Sequence, residues 1–136
     1  MGYSYSSDEG PVMCFNAPKT YQLGWFSNFH VDIELTTTIS PWTWNGNLVG
    51  QAERDNANIS QDDMMIVRIF GFGGTDYYVS YNRKTGINSG SQEGGNQVLI
   101  HSRENGIGYG TSTLLAKLNS GGAHTVSNYD GSDADL

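Results

Sequence analysis

His30-Val31-Asp32-Ile33-Glu34-Leu35-Thr36 decides the fold class. Val31, Ile33 and Leu35 fall on one side of an extended chain, and His30, Asp32, Glu34 and Thr36 on the other. A period of two marks a half-buried strand, because successive side chains of a strand point to opposite faces. The same reading extends downstream. Pro41-Trp42-Thr43-Trp44-Asn45-Gly46 is expected to turn at its Asn-Gly pair, with a strand around 47–53 after it. Met64-Met65-Ile66-Val67-Arg68-Ile69-Phe70 is apolar enough for an interior strand, closed by Gly71-Phe72-Gly73-Gly74. Asp76 to Asn82 should put Tyr77, Val79 and Tyr81 on one face and Tyr78 on the other. Further strands are expected at 97–102, 113–118 and 123–127, although Leu114-Leu115-Ala116-Lys117-Leu118 would also satisfy a helix. Strands at intervals of roughly 10 to 15 residues, separated by Gly and Asn, predict a mainly β fold. The expected architecture is an antiparallel β-sandwich or small barrel, preceded by a loop and one short helix.

Upstream, residues 1–13 are rich in turn formers: Ser4, Ser6, Ser7, Asp8, Gly10 and Pro11. The helix is expected over about 16–23. Asn16 suits the cap, Pro18 loses nothing in a first turn, and Gly24 suits the stop. Tyr21 and Trp25, four apart, are expected on one face.

The chain has 136 residues, enough for one ordinary domain. Its 18 glycines are roughly twice the usual share. They are spread between apolar runs, as tight turns would be. Formal net charge is -7, which argues against binding nucleic acid or an anionic membrane surface. No apolar run is long enough for a membrane span, and the N-terminus lacks the basic and apolar regions of a signal peptide. Cys14 is the single cysteine. It is either a small buried hydrophobe or half of a disulfide with polypeptide outside this chain. Asn58-Ile59-Ser60 is an acceptor sequon for glycosylation.

Chemistry-bearing patterns are sparse. His30, His101 and His124 are far apart, with no His-Glu-x-x-His, so no metal site is expected in this chain. His30 and His101 are expected on solvated strand faces. Serine and cysteine nucleophile motifs and a phosphate loop are missing. Asp32 with Glu34, or Asp62 with Asp63, could pair for glycoside chemistry, but solvated carboxylates are the simpler expectation. The acidic end, with Asp130, Asp133 and Asp135, lacks the order of a calcium loop.

Met1-Gly2-Tyr3-Ser4-Tyr5, followed by Cys14-Phe15-Asn16-Ala17-Pro18-Lys19-Thr20-Tyr21-Gln22-Leu23-Gly24-Trp25, resembles the region just after the active site of gametolysin-type zinc metallopeptidases, of the metzincin group. The stretches 76–90, 96–103 and 112–118 resemble the β region that follows in that family. The resemblance implies that Met1 is the Met-turn methionine under the zinc and that Tyr3 is the tyrosine near the metal. It implies that Phe15, Tyr21 and Trp25 form a wall of the substrate pocket. Residues 1–26 would end a catalytic domain, and 27–136 would be a β-rich domain, incomplete at its C-terminus. The zinc histidines and catalytic glutamate would lie upstream of Met1. Zinc is therefore expected in the full-length family and not in this chain alone, which should be inactive by itself. The implied activity is hydrolysis of extracellular-matrix or cell-wall proteins by a secreted enzyme.

The alternative is a free-standing β-sandwich module that binds glycan or protein, its aromatics stacking on sugar rings. The two readings differ in one expectation. A peptidase portion should expose apolar surface around Phe15, Tyr21 and Trp25. A binding module should cover its helix and show an aromatic platform elsewhere.

Overall fold

A computed structural model describes residues 13–35, 43–55, 58–71, 74–105, 108 and 110–126. Among the described residues, helix α1 (Ala17–Gln22) precedes seven strands: β1 (His30–Glu34), β2 (Asn47–Leu48), β3 (Asp63–Met64), β4 (Ile66–Phe70), β5 (Thr75–Asn82), β6 (Gln97–Glu104) and β7 (Ser112–Leu118). The fold is mainly β with one short α-helix, as expected.

The helix forms where its punctuation lies. Asn16 Oδ1 accepts a hydrogen bond from the Lys19 N–H at 3.2 Å, and Pro18 occupies the first turn. At the other end the Gly24 N–H bonds to Tyr21 O (3.0 Å) and the Trp25 N–H to Thr20 O (3.1 Å). That pair of bonds needs a left-handed residue between helix and exit, and Gly24 supplies it at φ +70°. The reversal separates Tyr21 from Trp25. The two were expected on one face. Instead Tyr21 turns onto the sheet and Trp25 turns away to stack on Phe15, with ring centroids 5.5 Å apart.

The main sheet has the order β1-β4-β5-β6-β7. Strands β4 to β7 form an antiparallel meander, while β1 pairs parallel to β4, His30 opposite Ile66. A second sheet pairs only β2 with β3, also parallel. The purely antiparallel sandwich or barrel expected from alternation is thus corrected among the described residues. The order of the five strands leaves β1 and β7 as edges, and two of the ladders are parallel. Alternation fixes which way a side chain points but not the partner strand's direction.

Two local expectations also change. The segment expected as a strand over 47–53 is extended only at Asn47–Leu48 and then coils into a single 3-10 turn at Gln51–Glu53. No strand forms over 123–126, and Ser127 lies outside the described residues. Leu114–Leu118 resolves as strand, and the bulge between Ile100 and His101 gives β7 its extra residue, Leu115.

Strand β5 alternates as expected. Asp76, Tyr78 and Ser80 are buried, and Tyr77, Val79 and Tyr81 are half-buried on the other face. Helix α1 rests against β5 and β6. The core there is Ala17, Met65, Ile66 and Tyr78, with Tyr21, Phe26, Phe29, Val49 and Ile59 packed around it. The helix therefore covers the face that carries polar side chains.

Candidate functional site

Strand register builds a polar row under the helix. Asp32 on β1 pairs with Arg68 on β4, Arg68 with Tyr78 on β5, and Tyr78 with His101 on β6. All four side chains belong to one face, since cross-strand partners share a face. Arg68 stands at the centre. Its Nε and Nη2 donate to Asp76 Oδ2 at 2.9 and 2.8 Å, and Nη1 donates to the Tyr21 hydroxyl at 3.2 Å. The Tyr21 hydroxyl donates in turn to the Asp32 carboxylate, 2.9 and 2.7 Å from its two oxygens. The Tyr78 hydroxyl lies 3.3 Å from Asp76 Oδ2. Rings enclose the cation: Arg68 sits 4.3 Å from the Phe70 centroid and 5.2 Å from that of Tyr21.

Burial explains the electrostatics. Desolvation works against the Arg68 charge, but the bonds to Asp76 and Tyr21 outweigh it and raise the pKa further. Burial raises the Tyr21 phenol, and its bond to Asp32 adds to the rise. Burial also raises Tyr78, helped by the Asp76 charge. Neither phenol is then a base near neutral pH. Asp76 is 3% exposed, and its Oδ1 has no hydrogen-bond partner among the described residues. The cluster ties α1 to the sheet and holds one compensated cation. Its chemistry is that of a structural lock.

The histidines depart from expectation. His101 is buried, at 5% exposure, and not solvated. Its Nδ1 has no described partner, and burial pushes its pKa down to about 4. His30 is half-buried and stacks on Tyr21 at 4.9 Å; burial lowers its pKa, opposed more weakly by the Trp25 backbone and Asp32. His124 is exposed. Among the described residues, no group of three His, Cys, Asp or Glu side chains could hold a metal ion.

Two of the candidate carboxylates, Asp32 and Asp63, are hydrogen-bond acceptors. Asp32 serves Tyr21 and lies 3.6 Å from Arg68 Nη1. Asp63 is buried and accepts from the Ser60 N–H at 2.8 Å. Glu34 and Asp62 are exposed. Cys14 is half-buried, with its N–H donating to Asn88 Oδ1 at 2.8 Å. Burial raises its thiol pKa, so this thiol is not activated. Asn58 is exposed. Met1, Tyr3 and Asp130 to Asp135 lie outside the described residues.

Of the three pocket-wall candidates, Phe15 and Trp25 come together and Tyr21 does not join them. Phe15 is 44% exposed, Leu23 43% and Trp25 49%. Phe15 and Trp25, from the two ends of α1, form an exposed stacked pair, and Leu23 at the helix C-cap is a further exposed apolar residue. Opposite, the helix is pinned to the β6–β7 connection. Lys19 Nζ donates to Gly110 O at 2.6 Å and Asn16 Nδ2 to Ser112 Oγ at 3.0 Å. Gln22 Nε2 and Arg103 Nη2 both donate to Gly108 O.

Sequence reasoning missed the Arg68 cluster. A signal was present: Arg68 is the lone charge inside Met64–Phe70, and a buried cation needs a nearby carboxylate. Asp76 follows at the start of the next strand.

No family model matches the chain, and no curated protein or solved structure is significantly similar to it.

Proposed function

We propose that the chain is the portion of a secreted zinc metalloendopeptidase that follows the zinc-binding helix, with α1 bordering the substrate cleft. The observation that supports this is the stacked pair Phe15 and Trp25, each more than two-fifths exposed beside an otherwise well-docked helix. A small domain has little reason to leave stacked Phe15 and Trp25 in water unless something else uses them. The family resemblance of the sequence supplies the identity of that use. The exposed sequon asparagine, Asn58, suits a secreted protein.

On this reading the chain provides a wall and a folded support, and zinc chemistry belongs to residues upstream. Zinc would activate the attacking water on those histidines, with a glutamate taking its proton. Within this chain, Arg68 and its partners keep α1 at a fixed angle, and so position Phe15 and Trp25. The test compares two proteins in a zinc-supplemented gelatin assay. This chain alone should not cleave. A product carrying an in-frame zinc helix upstream should cleave and should stop on chelation. Cleavage by the purified chain alone, or an inert zinc-loaded longer product, would sink the proposal.

The binding-module reading keeps one supporting observation. Tyr77 and Tyr81 line the half-buried face of β5 that α1 does not cover. They fall short of an open platform, which is why the peptidase reading is preferred.

A further inference from the structure

A cleft of about 470 Å³ opens beside the exit of α1, lined by Trp25, Phe26, Ser27, Asn28, Phe29 and Arg54. Its chemistry is mixed. Trp25 stacks on Phe15 and still keeps 49% of its surface exposed. Phe26 holds a left-handed backbone, φ 60° and ψ 31°, which residues with side chains rarely adopt. The Phe29 N–H bonds back to Phe26 O at 2.8 Å, and the single 3-10 turn Ser27–Phe29 fixes the distortion. Strain of this kind persists where the surroundings enforce it, and often where a site needs it.

Arg54 comes from a different element, just past the 3-10 turn Gln51–Glu53, and lies 5.4 Å from the Phe26 centroid. It is exposed and makes no ion pair among the described residues. On a chain of net charge -7, a guanidinium beside aromatic rings with no ion-pair partner among the described residues stands out. A guanidinium offers two parallel donors that match a carboxylate. The exposed side chains of Ser27 and Asn28 make no hydrogen bond to a described residue, and both have donors and acceptors to offer.

We propose that this cleft binds a carbohydrate ending in one carboxylated sugar, a uronate, with its ring on Trp25 and its carboxylate on Arg54. The ring supplies the apolar C–H face that an indole receives, and its hydroxyls suit Ser27 and Asn28. A peptide strand suits the cleft less well. Backbone recognition needs an extended edge, and here the 3-10 turn uses its own groups: Phe29 N–H to Phe26 O, and His30 N–H to Ser27 O. One cation calls for one carboxylate, and the acidic chain repels a polyanion. The inference shares Trp25 with the peptidase reading but stands on a separate observation, the Arg54-lined cleft, and requires only this chain.

The test is isothermal titration of the full chain with four probes: a tetrasaccharide ending in glucuronate, the same ending in glucose, a polyglucuronate and a capped acidic tetrapeptide. The glucuronate-ended sugar should bind about tenfold more tightly than the neutral one, the scale of one charge-assisted contact. The preference should shrink as salt is raised. Arg54→Gln should erase the preference while leaving neutral-sugar binding. Trp25→Ser should weaken both sugars, and Trp25→Phe should restore much of the loss. Lys117→Gln, a remote exposed cation, should change nothing. Equal affinity for the two tetrasaccharides, tighter binding of the peptide or polyglucuronate, or no binding of any probe would overturn the proposal. Circular dichroism of each variant separates lost binding from lost fold.

Discussion

At the scale of single residues, Arg68 decides most. It is a cation on a covered sheet face, and Asp76 at 2.8 Å is what makes that tolerable. Arg68→Met should destabilise by ~3 kcal/mol in urea unfolding, because it leaves a buried carboxylate uncompensated. Arg68→Met with Asp76→Leu should recover much of that loss. A double variant no more stable than the sum of its parts would show that the pair is not coupled. His101 gives a pH prediction. Its folded pKa, about 4, lies below the ordinary value of 6.5, so the fold holds it neutral. Its contribution is fully present above about pH 6.5 and is lost as pH falls toward 4, by roughly 2–3 kcal/mol. His101→Gln should flatten the stability profile between those two limits. An unchanged slope would remove His101 as the cause. The sequence shows that Arg68 and His101 exist but not that the first is half-buried and the second buried. Alternation put His101 on a strand face expected to be solvated; the structure buries it on the sheet that α1 packs against.

At the scale of elements, α1 was legible because its signals are local. Asn16, Pro18 and Gly24 act within one turn of their own positions, and the structure places each in its expected role. Asn16→Ala should cost ~1 kcal/mol for the cap, read as a lower unfolding midpoint. It also removes the bond to Ser112. Gly24→Ala should cost ~1 kcal/mol, because alanine resists φ +70°. A wild-type midpoint in either variant would contradict the capping account. Strands β4, β5, β6 and β7 were legible for the same local reason. The parallel β1–β4 pair was not, since it joins segments separated by two short strands and a 3-10 turn. Such pairings are settled by packing at a distance. The 47–53 segment failed because Gly50 turns there, held by its N–H to Glu53 Oε2 at 3.0 Å.

At the scale of the whole molecule, the question is what the exposed Phe15–Trp25 stack is for. Substituting Phe15→Ser should cost this chain about 1 kcal/mol, the scale of its stack on Trp25, and well short of the ~3–5 kcal/mol of a core aromatic. A loss on the core scale would mean that the stack serves this chain's own fold, and would take away the support for the peptidase reading. The pattern of the site was only half legible. Phe15 and Trp25 are exposed, as the peptidase reading expects of that face, whereas Tyr21 is drawn into the polar lock by Arg68 and Asp32, which no spacing rule reveals. The most direct measurement is the sequence of the transcript upstream of the Met1 codon. If the chain follows a zinc-binding helix, an in-frame His-Glu-x-x-His-x-x-Gly-x-x-His lies within a few tens of codons. A stop codon followed by untranslated sequence would contradict it, and would leave a non-catalytic β module as the function of this chain.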